Sequence, residues 1–221
     1  MIDDVRVRSP RGELVLRRRA DGALELRVNG VFVMDTAQTS SERALATSVL
    51  AAVERPRRVL VAGLGLGCTL AAVLDDERIA HVDVVELERA LIDWLRADIV
   101  PGGAALLADP RVRAHEGDVA QALDDSASYD VVLLDVDNGP DYLVHDSNID
   151  LYRAPFLARC AAHLRSGGAL GVWSMNESLG LAEALGKVFA EVCALPQPVR
   201  HGGRPQTYWL HLATSPRWVA H

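Results

Sequence analysis

A glycine-rich turn and three acidic loops each follow an apolar, strand-like run in this sequence. Residues 59–68 read Val-Leu-Val-Ala-Gly-Leu-Gly-Leu-Gly-Cys, so a buried strand ends at Gly63, Gly65 and Gly67 before a helix begins. Glycines let the backbone approach a ligand where any Cβ would clash, and the first turn of the helix offers unpaired N–H groups. These glycines, with Leu66 between them, predict a nucleotide-binding turn.

The spacing of the glycines distinguishes two classes of ligand. A dinucleotide fingerprint, G-x-G-x-x-G, would require glycine where the chain has Cys68. The remaining G-x-G-x-G pattern resembles the first motif of S-adenosylmethionine-dependent methyltransferases and of the related spermidine synthases. The alternative is a structural turn, since glycines follow strands in many α/β proteins that bind no ligand there.

Two acidic residues stand where a nucleoside would be held. Glu86 ends the run Val-Asp-Val-Val-Glu, nineteen positions after Gly67, where a carboxylate commonly binds ribose hydroxyls. Asp118 suits contact with an adenine amino group, and it is equally a helix N-cap; both roles can hold at once. The adjacent Leu87 and Val119 are expected beside the same nucleoside.

Asp135 ends the strongly apolar run 129–134 and is the candidate catalytic residue. Burial at a strand end raises the pKa of a carboxyl group, which makes it a proton acceptor or an anchor for a cationic acceptor beside the donor. Turn formation is the alternative role, because residues 135–140 are rich in turn formers. The long loop that follows predicts a lid, with Asp137, Tyr142 and His145 as candidate substrate contacts or, alternatively, surface residues.

The loops that leave the carboxyl ends of parallel strands meet at one edge of the sheet, where ligands bind. Their acidic lining would repel a dinucleotide or a nucleoside triphosphate and would hold a cationic sulfonium nucleoside. Because a sulfonium is already activated, alignment with a small acceptor supplies much of the catalysis, and no metal is required.

Composition narrows the class of protein. The chain has 221 residues, 49% of them apolar, which predicts an ordered domain with a sizeable core. A net charge of −7 argues against nucleic-acid or membrane partners, which require a concentrated positive surface. Three scattered cysteines, no basic leader and no membrane-length apolar stretch predict a soluble, cytoplasmic protein.

The pattern of elements predicts two parts. Residues 1–36 contain short β-like runs separated by Asp-Gly and Asn-Gly turns, which predicts a small antiparallel β segment. Residues 37–221 form a nucleoside-binding domain, an α/β doubly wound, mostly parallel sheet of the methyltransferase-like Rossmann type with an antiparallel C-terminal edge hairpin. Its predicted strands are 58–62, 82–86, 111–115, 130–135, 169–174, 194–200 and 207–213. Its later helices are predicted near 69–75, 88–97, 118–124, 150–165 and 177–190. The first helix is predicted to open with a capping box, Thr39 with Glu42.

From about Leu24 to Leu212 the chain resembles the spermidine synthase (polyamine aminopropyltransferase) family of the class I S-adenosylmethionine-dependent methyltransferase superfamily. The resemblance is carried by these stretches: Asn29-Gly30-Val31-Phe32, the glycine turn, Glu86, Asp109-Pro110-Arg111-Val112, Glu116-Gly117-Asp118, Tyr129-Asp130-Val131-Val132 with Asp135, and Leu151-Tyr152. It implies that Glu86 binds the ribose, Asp118 binds the adenine, and Asp135 stands at the position of the catalytic aspartate. The N-terminal hairpins are similar to surfaces that form dimers in that family, which is consistent with a homodimer.

The chain departs from the family pattern around the acceptor. The family's turn has an aspartate that binds the amine of decarboxylated S-adenosylmethionine, and Leu66 replaces it here. Ser40 and Ser41 stand where the family has a Tyr and a Gln or His before Glu42, and Arg43 would repel a polycation.

Three functions remain open at this stage. The first is methyl transfer from S-adenosylmethionine to a small acceptor, which the departures from the family favour. The second is aminopropyl transfer from decarboxylated S-adenosylmethionine to an amine. The third is nucleoside binding without turnover.

Overall fold

The computed structural model describes residues 4–124, 128–201 and 204–217. The N-terminal part is a four-stranded sheet in which each strand pairs antiparallel with the next. Its strands are β1 (Val5–Ser9), β2 (Gly12–Arg18), β3 (Leu24–Val28) and β4 (Val31–Asp35). The predicted Asn29-Gly30 turn is confirmed, with positive φ at both residues (52° and 78°), as a tight hairpin requires.

The main sheet has seven strands in the order β10-β11-β9-β8-β5-β6-β7. They are β5 (Arg58–Ala62), β6 (His81–Glu86), β7 (Val112–Glu116), β8 (Tyr129–Leu134), β9 (Leu164–Ser174), β10 (Phe189–His201) and β11 (Arg204–Pro216). Strands β7, β6, β5, β8 and β9 run parallel, and β11 is antiparallel to both of its neighbours. The doubly wound sheet and its antiparallel C-terminal hairpin are therefore confirmed.

Helices precede, connect and follow the parallel strands. They are α1 (Ser40–Ala51), α2 (Cys68–Leu74), α3 (Arg89–Arg96), α4 (Gly103–Ala108), α5 (Val119–Asp124), α6 (Ala154–Ala162) and α7 (Leu179–Val188). The sequence did not predict α4, and the single helix expected near 150–165 is divided into a 3₁₀ helix (Asp146–Tyr152) and α6. Pro155 explains the division, because a residue without an N–H is accommodated in the first turn of a new helix.

The core explains where the site lies. All six residues of β8 are buried, so the strand is covered on both faces and its end carries Asp135 into the interior. One hydrophobic cluster joins Leu14 and Leu26 of the N-terminal sheet to Leu45 of α1 and Leu66 of the glycine turn. The N-terminal sheet thus packs against the turn, while the division at residues 36 and 37 stays a prediction. Within the described ranges, no helix has the length and apolar character that crossing a membrane requires.

Candidate active site

A cavity of about 630 Å³ opens at the carboxyl ends of the central strands. The structure brings most of the predicted site residues together in its lining: Gly63, Gly65, Glu86, Leu87, Asp118, Val119, Asp135, Asp137 and His145. Leu66, Gly67 and Tyr142 do not line it. Leu66 is buried in the core at 4% exposure, whereas Tyr142 is 56% exposed.

The glycine turn has the conformation that its sequence requires. Gly63, Gly65 and Gly67 have φ values of 89°, 50° and 85°, in the left-handed region that favours glycine. A Cβ on Gly63 would lie 2.1 Å from the carbonyl oxygen of Asp135. The turn and the end of β8 are therefore in direct backbone contact, and a side chain at Gly63 would separate them.

Every backbone N–H from residue 63 to residue 67 has a partner within the chain. Gly63 donates to the Val85 carbonyl (2.9 Å), and Gly67 donates to the Leu64 carbonyl (2.8 Å). The N–H groups of Leu64 and Gly65 donate to Oε2 of Glu86, at 2.7 and 3.4 Å. The N–H of Leu66 donates to the Met34 sulfur (3.3 Å). The turn consequently offers no unpaired N–H to an anionic ligand.

Glu86 organises this turn from the end of β6. Its side chain is 6% exposed, and Oε1 accepts a further hydrogen bond from the Glu88 N–H at 2.8 Å. Burial raises the pKa of Glu86, and the three backbone N–H groups oppose that shift. The carboxyl group reaches the cavity and keeps acceptor capacity on Oε1, because each carboxylate oxygen accepts two hydrogen bonds.

Asp118 lines the cavity from the position directly before α5. Its Oδ1 accepts a hydrogen bond from the Ala120 N–H at 2.8 Å, and its carbonyl accepts from Gln121 and Ala122. The side chain thus caps the helix, as the sequence allowed. The second carboxylate oxygen takes no part in that bond, and Asp118 is an exposed residue in the lining of the cavity.

Asp135 accepts a hydrogen bond from Oγ1 of Thr69 in α2, at 2.5 Å from its Oδ2. Burial raises the pKa of Asp135 to about 6, and the bond from Thr69 acts in the opposite direction. A carboxyl group with a pKa near neutrality is suited to accept a proton, in agreement with the shift expected from its position.

Glu42 is another buried carboxyl group, and the capping role predicted for it from the sequence is wrong. No side-chain cap forms at Thr39. Oε2 of Glu42 instead accepts a hydrogen bond from Oγ of Ser41, with 2.7 Å between the two oxygen atoms. Burial, and then the charge of Asp135, raises the pKa of Glu42 to about 7. Helical spacing could have predicted the burial of Glu42 from the sequence, because this residue shares the buried face of α1 with Leu45 and Val49.

Asp137 organises the loop after β8 instead of presenting a free carboxylate. Its Oδ1 accepts from the N–H groups of Asn138 (2.8 Å) and Val144 (2.5 Å). Its Oδ2 accepts from the His145 N–H (3.1 Å) and from Nδ2 of Asn148 (2.9 Å). Four hydrogen bonds to one side chain fold residues 137–148 into a compact loop, and His145 lines the cavity from it.

The N-terminal sheet contributes to the lining of the cavity. Ser9 Oγ donates to Oε1 of Glu88 at 3.2 Å, and Nη1 of Arg11 donates to the Leu87 carbonyl at 3.1 Å. Apolar residues of β3 and β4 complete the lining: Leu26, Val28 and Val33. The turn between β1 and β2 is therefore joined to the loop after Glu86.

Comparison with known proteins identifies the family. Residues 38–189, more than half of the chain, match the spermine/spermidine synthase domain. The chain belongs to this family. A polyamine aminopropyltransferase of Pseudomonas aeruginosa is 30% identical over 181 residues, which cover 73% of this chain and 50% of that protein. A homologue of the same name from Bacillus cereus is 35% identical over 129 residues, 57% of this chain and 34% of that protein. This member of the spermine/spermidine synthase family thus spans half or less of the length of these curated relatives.

The chain is also similar to a methyltransferase and to a spermidine synthase of known structure. A putrescine N-methyltransferase of Nicotiana tabacum is 32% identical over 136 residues, 60% of this chain and 33% of that enzyme. The spermidine synthase of Thermotoga maritima superposes with a TM-score of 0.79 at 16% identity, covering 96% of this chain and 71% of that one. At that identity the superposition shows the shared fold.

The charges that line the cavity of this family member are strongly unequal. Among the described residues that line the cavity, one carries a guanidinium, Arg11, whose Nη1 lies 3.9 Å from Oε1 of Glu88. Against it stand six acidic side chains: Glu86, Glu88, Asp118, Asp135, Asp137 and Asp150. Such a cavity attracts cations and repels anions.

Proposed function

We propose that the cavity binds decarboxylated S-adenosylmethionine and that the protein transfers the aminopropyl group of this donor to an amine. Membership of the spermine/spermidine synthase family and the similarity to two polyamine aminopropyltransferases support aminopropyl transfer. This conclusion replaces methyl transfer, the first choice from sequence alone.

The choice of donor rests on the N–H groups of the glycine turn, all of which already have partners within the chain. S-adenosylmethionine bears a carboxylate, and a buried carboxylate requires hydrogen-bond donors or a cation. Residues 63–67 offer it none, and the guanidinium of Arg11 is engaged by Leu87 and Glu88. The decarboxylated donor carries positive charges only, which complement the acidic lining.

The reaction follows from the placement of three carboxyl groups. Asp118 accepts from the adenine amino group, and Oε1 of Glu86 accepts from a ribose hydroxyl. Asp135 takes a proton from the attacking amine, whose nitrogen forms a bond to the carbon next to the sulfonium. The carbon–sulfur bond breaks, its electron pair stays on sulfur, and methylthioadenosine leaves as a neutral product. The rate enhancement comes chiefly from holding amine and donor in line.

Product analysis tests this function. The protein is incubated with the decarboxylated donor and a panel of diamines and polyamines, and methylthioadenosine is quantified by mass spectrometry. A parallel incubation supplies S-adenosylmethionine and monitors S-adenosylhomocysteine. We expect methylthioadenosine from the first mixture, loss of this product in Asp135→Asn, and retention of nucleoside binding by that variant. S-adenosylhomocysteine alone would contradict aminopropyl transfer, and bound nucleoside without either product would identify a binding protein.

Methyl transfer to an amine is the second candidate. It is supported by the similarity to a putrescine N-methyltransferase and by Leu66, which cannot pair with the ammonium of an aminopropyl group. The occupied turn argues against it, because the carboxylate of the methyl donor would lie beside N–H groups that already have partners.

A further inference from the structure

We propose that Met34 is a specificity residue that excludes donors with a carboxylate from the subsite beside Gly65 and Leu66. This inference rests on the proposed function and deepens it, because it assigns the choice between the two sulfonium donors to one side chain of the N-terminal sheet. The ligand class is an adenosyl sulfonium or thioether without an α-carboxylate.

The first observation is the position of the Met34 sulfur. It accepts the Leu66 N–H at 3.3 Å, and a Cβ on Gly65 would lie 2.6 Å from it. The sulfur therefore touches the backbone of Gly65 and occupies the space in front of the turn. A thioether is a weak acceptor, so the Leu66 N–H would form a stronger bond with a carboxylate if Met34 moved away.

The second observation is a β-bulge that directs β4 towards the turn. Leu26 pairs with Met34 while Arg27 pairs with Phe32, so Val33 is an extra residue in β4. Such bulges bend a strand and redirect its side chains, often next to active sites. As a result, two consecutive residues reach the site: Val33 lines the cavity and Met34 contacts the turn.

The third observation is that the surroundings of Met34 are apolar. Leu64 and Leu66 are each 4% exposed and belong to the cluster against which Met34 packs. The acidic side chains that line the cavity, Asp135 among them, repel a carboxylate. An anion at this subsite would consequently lose its hydration without gaining a partner.

Calorimetric titration with three ligands tests the inference: methylthioadenosine, which has no such tail, the decarboxylated donor and S-adenosylmethionine. Met34→Ala opens the space and frees the Leu66 N–H, and Met34→Leu, the matched control, keeps the space filled. We expect Met34→Ala to bind S-adenosylmethionine about tenfold more tightly than the unmodified protein, since one hydrogen bond to a charged group is gained. Methylthioadenosine should bind all three proteins equally, and Met34→Leu should still reject S-adenosylmethionine.

The outcomes separate this inference from the function on which it rests. If methylthioadenosine fails to bind the unmodified protein, the proposed function is wrong. If it binds, and S-adenosylmethionine gains no affinity in Met34→Ala, the role of Met34 is wrong. Met34→Ser opens the same space and provides a second measurement if the alanine variant is poorly folded. In either variant, an amide shift of Leu66 on addition of S-adenosylmethionine, absent in the unmodified protein, locates the effect at this N–H.

Discussion

Thr69 and Asp135 are joined by a hydrogen bond of 2.5 Å although they are 66 positions apart in the chain. Thr69 belongs to the first turn of α2, directly after the glycine turn, and Asp135 follows β8. The bond therefore fixes the candidate base relative to the glycine turn. Burial raises the pKa of Asp135, and the bond from Thr69 opposes that shift because it stabilises the ionised carboxylate.

Thr69→Val should move the acid limb of the activity profile to higher pH. The variant keeps the shape of the side chain but removes the hydroxyl, so the pKa of Asp135 should rise above its value of about 6. Since Asp135 accepts a proton only when it is ionised, kcat/KM should fall at a higher pH than in the unmodified protein. The measurement is methylthioadenosine formation between about pH 5 and pH 9. Thr69→Ser, which keeps the hydroxyl, should leave the limb in place, and equal profiles for all three proteins would show that Asp135 is not the titrating group.

Glu42→Gln should stabilise the protein increasingly as the pH rises. The pKa of Glu42 is raised from 4.5 to about 7, so the folded state favours the protonated form. The associated stability is fully present below about pH 4.5 and is lost as the pH rises through about 7. At about 1.4 kcal/mol per pKa unit, the difference between variant and unmodified protein should reach the order of 3 kcal/mol by pH 8. Urea denaturation at several pH values measures it.

The control for this prediction is Glu54→Gln, because the Glu54 side chain is 91% exposed. Its unfolding free energy should track that of the unmodified protein at every pH. A constant offset between Glu42→Gln and the unmodified protein would mean that Glu42 is ionised normally and that its burial has no electrostatic cost.

Gly63→Ala should be much more damaging than Gly22→Ala, although the two glycines have the same backbone conformation, with φ of 89° and 88°. Each substitution places a Cβ in the left-handed region, at about 1–2 kcal/mol. Gly63 adds a clash with the Asp135 carbonyl, whereas a Cβ on Gly22 meets no atom within 4 Å. Thermal unfolding should show the larger loss for Gly63→Ala, with loss of methylthioadenosine binding only in that variant. Similar losses in both would indicate that the turn can move away from β8.

Asp137→Ala should release the loop after β8. Its carboxylate accepts hydrogen bonds from the backbone N–H groups of Asn138, Val144 and His145. These amides should therefore lose protection from hydrogen exchange when the carboxylate is removed. Hydrogen exchange at Val144 and His145 should accelerate by about tenfold or more. Asp146→Ala is the matched control, since this residue of the same region is exposed. If donor binding weakens in Asp137→Ala without faster exchange, Asp137 contacts the ligand directly.

The sequence alone determined the sheet, because alternation of apolar runs and helical segments is a local signal that each segment carries by itself. It also determined the glycine turn and the positions of Glu86, Asp118 and Asp135, since parallel strands must bring their carboxyl ends to one edge. The structure confirms the fold, and the roles of these residues in binding and catalysis stay predictions. Comparison with known proteins confirmed the family that the sequence resembles, and it changed the preferred reaction from methyl to aminopropyl transfer.

Only the tertiary structure decided the partners of the polar groups. Asp137 was a candidate substrate contact. Its carboxylate instead accepts hydrogen bonds from backbone N–H groups up to eight positions later in the chain. Glu42 matched a capping box, yet packing of α1 against α2 buries it near Asp135. Met34 contacts a residue 32 positions away because a bulge redirects its strand. Sequence patterns report the local conformation of the chain. These contacts instead depend on which distant surfaces pack together, because packing decides which buried polar groups must find hydrogen-bond partners in each other.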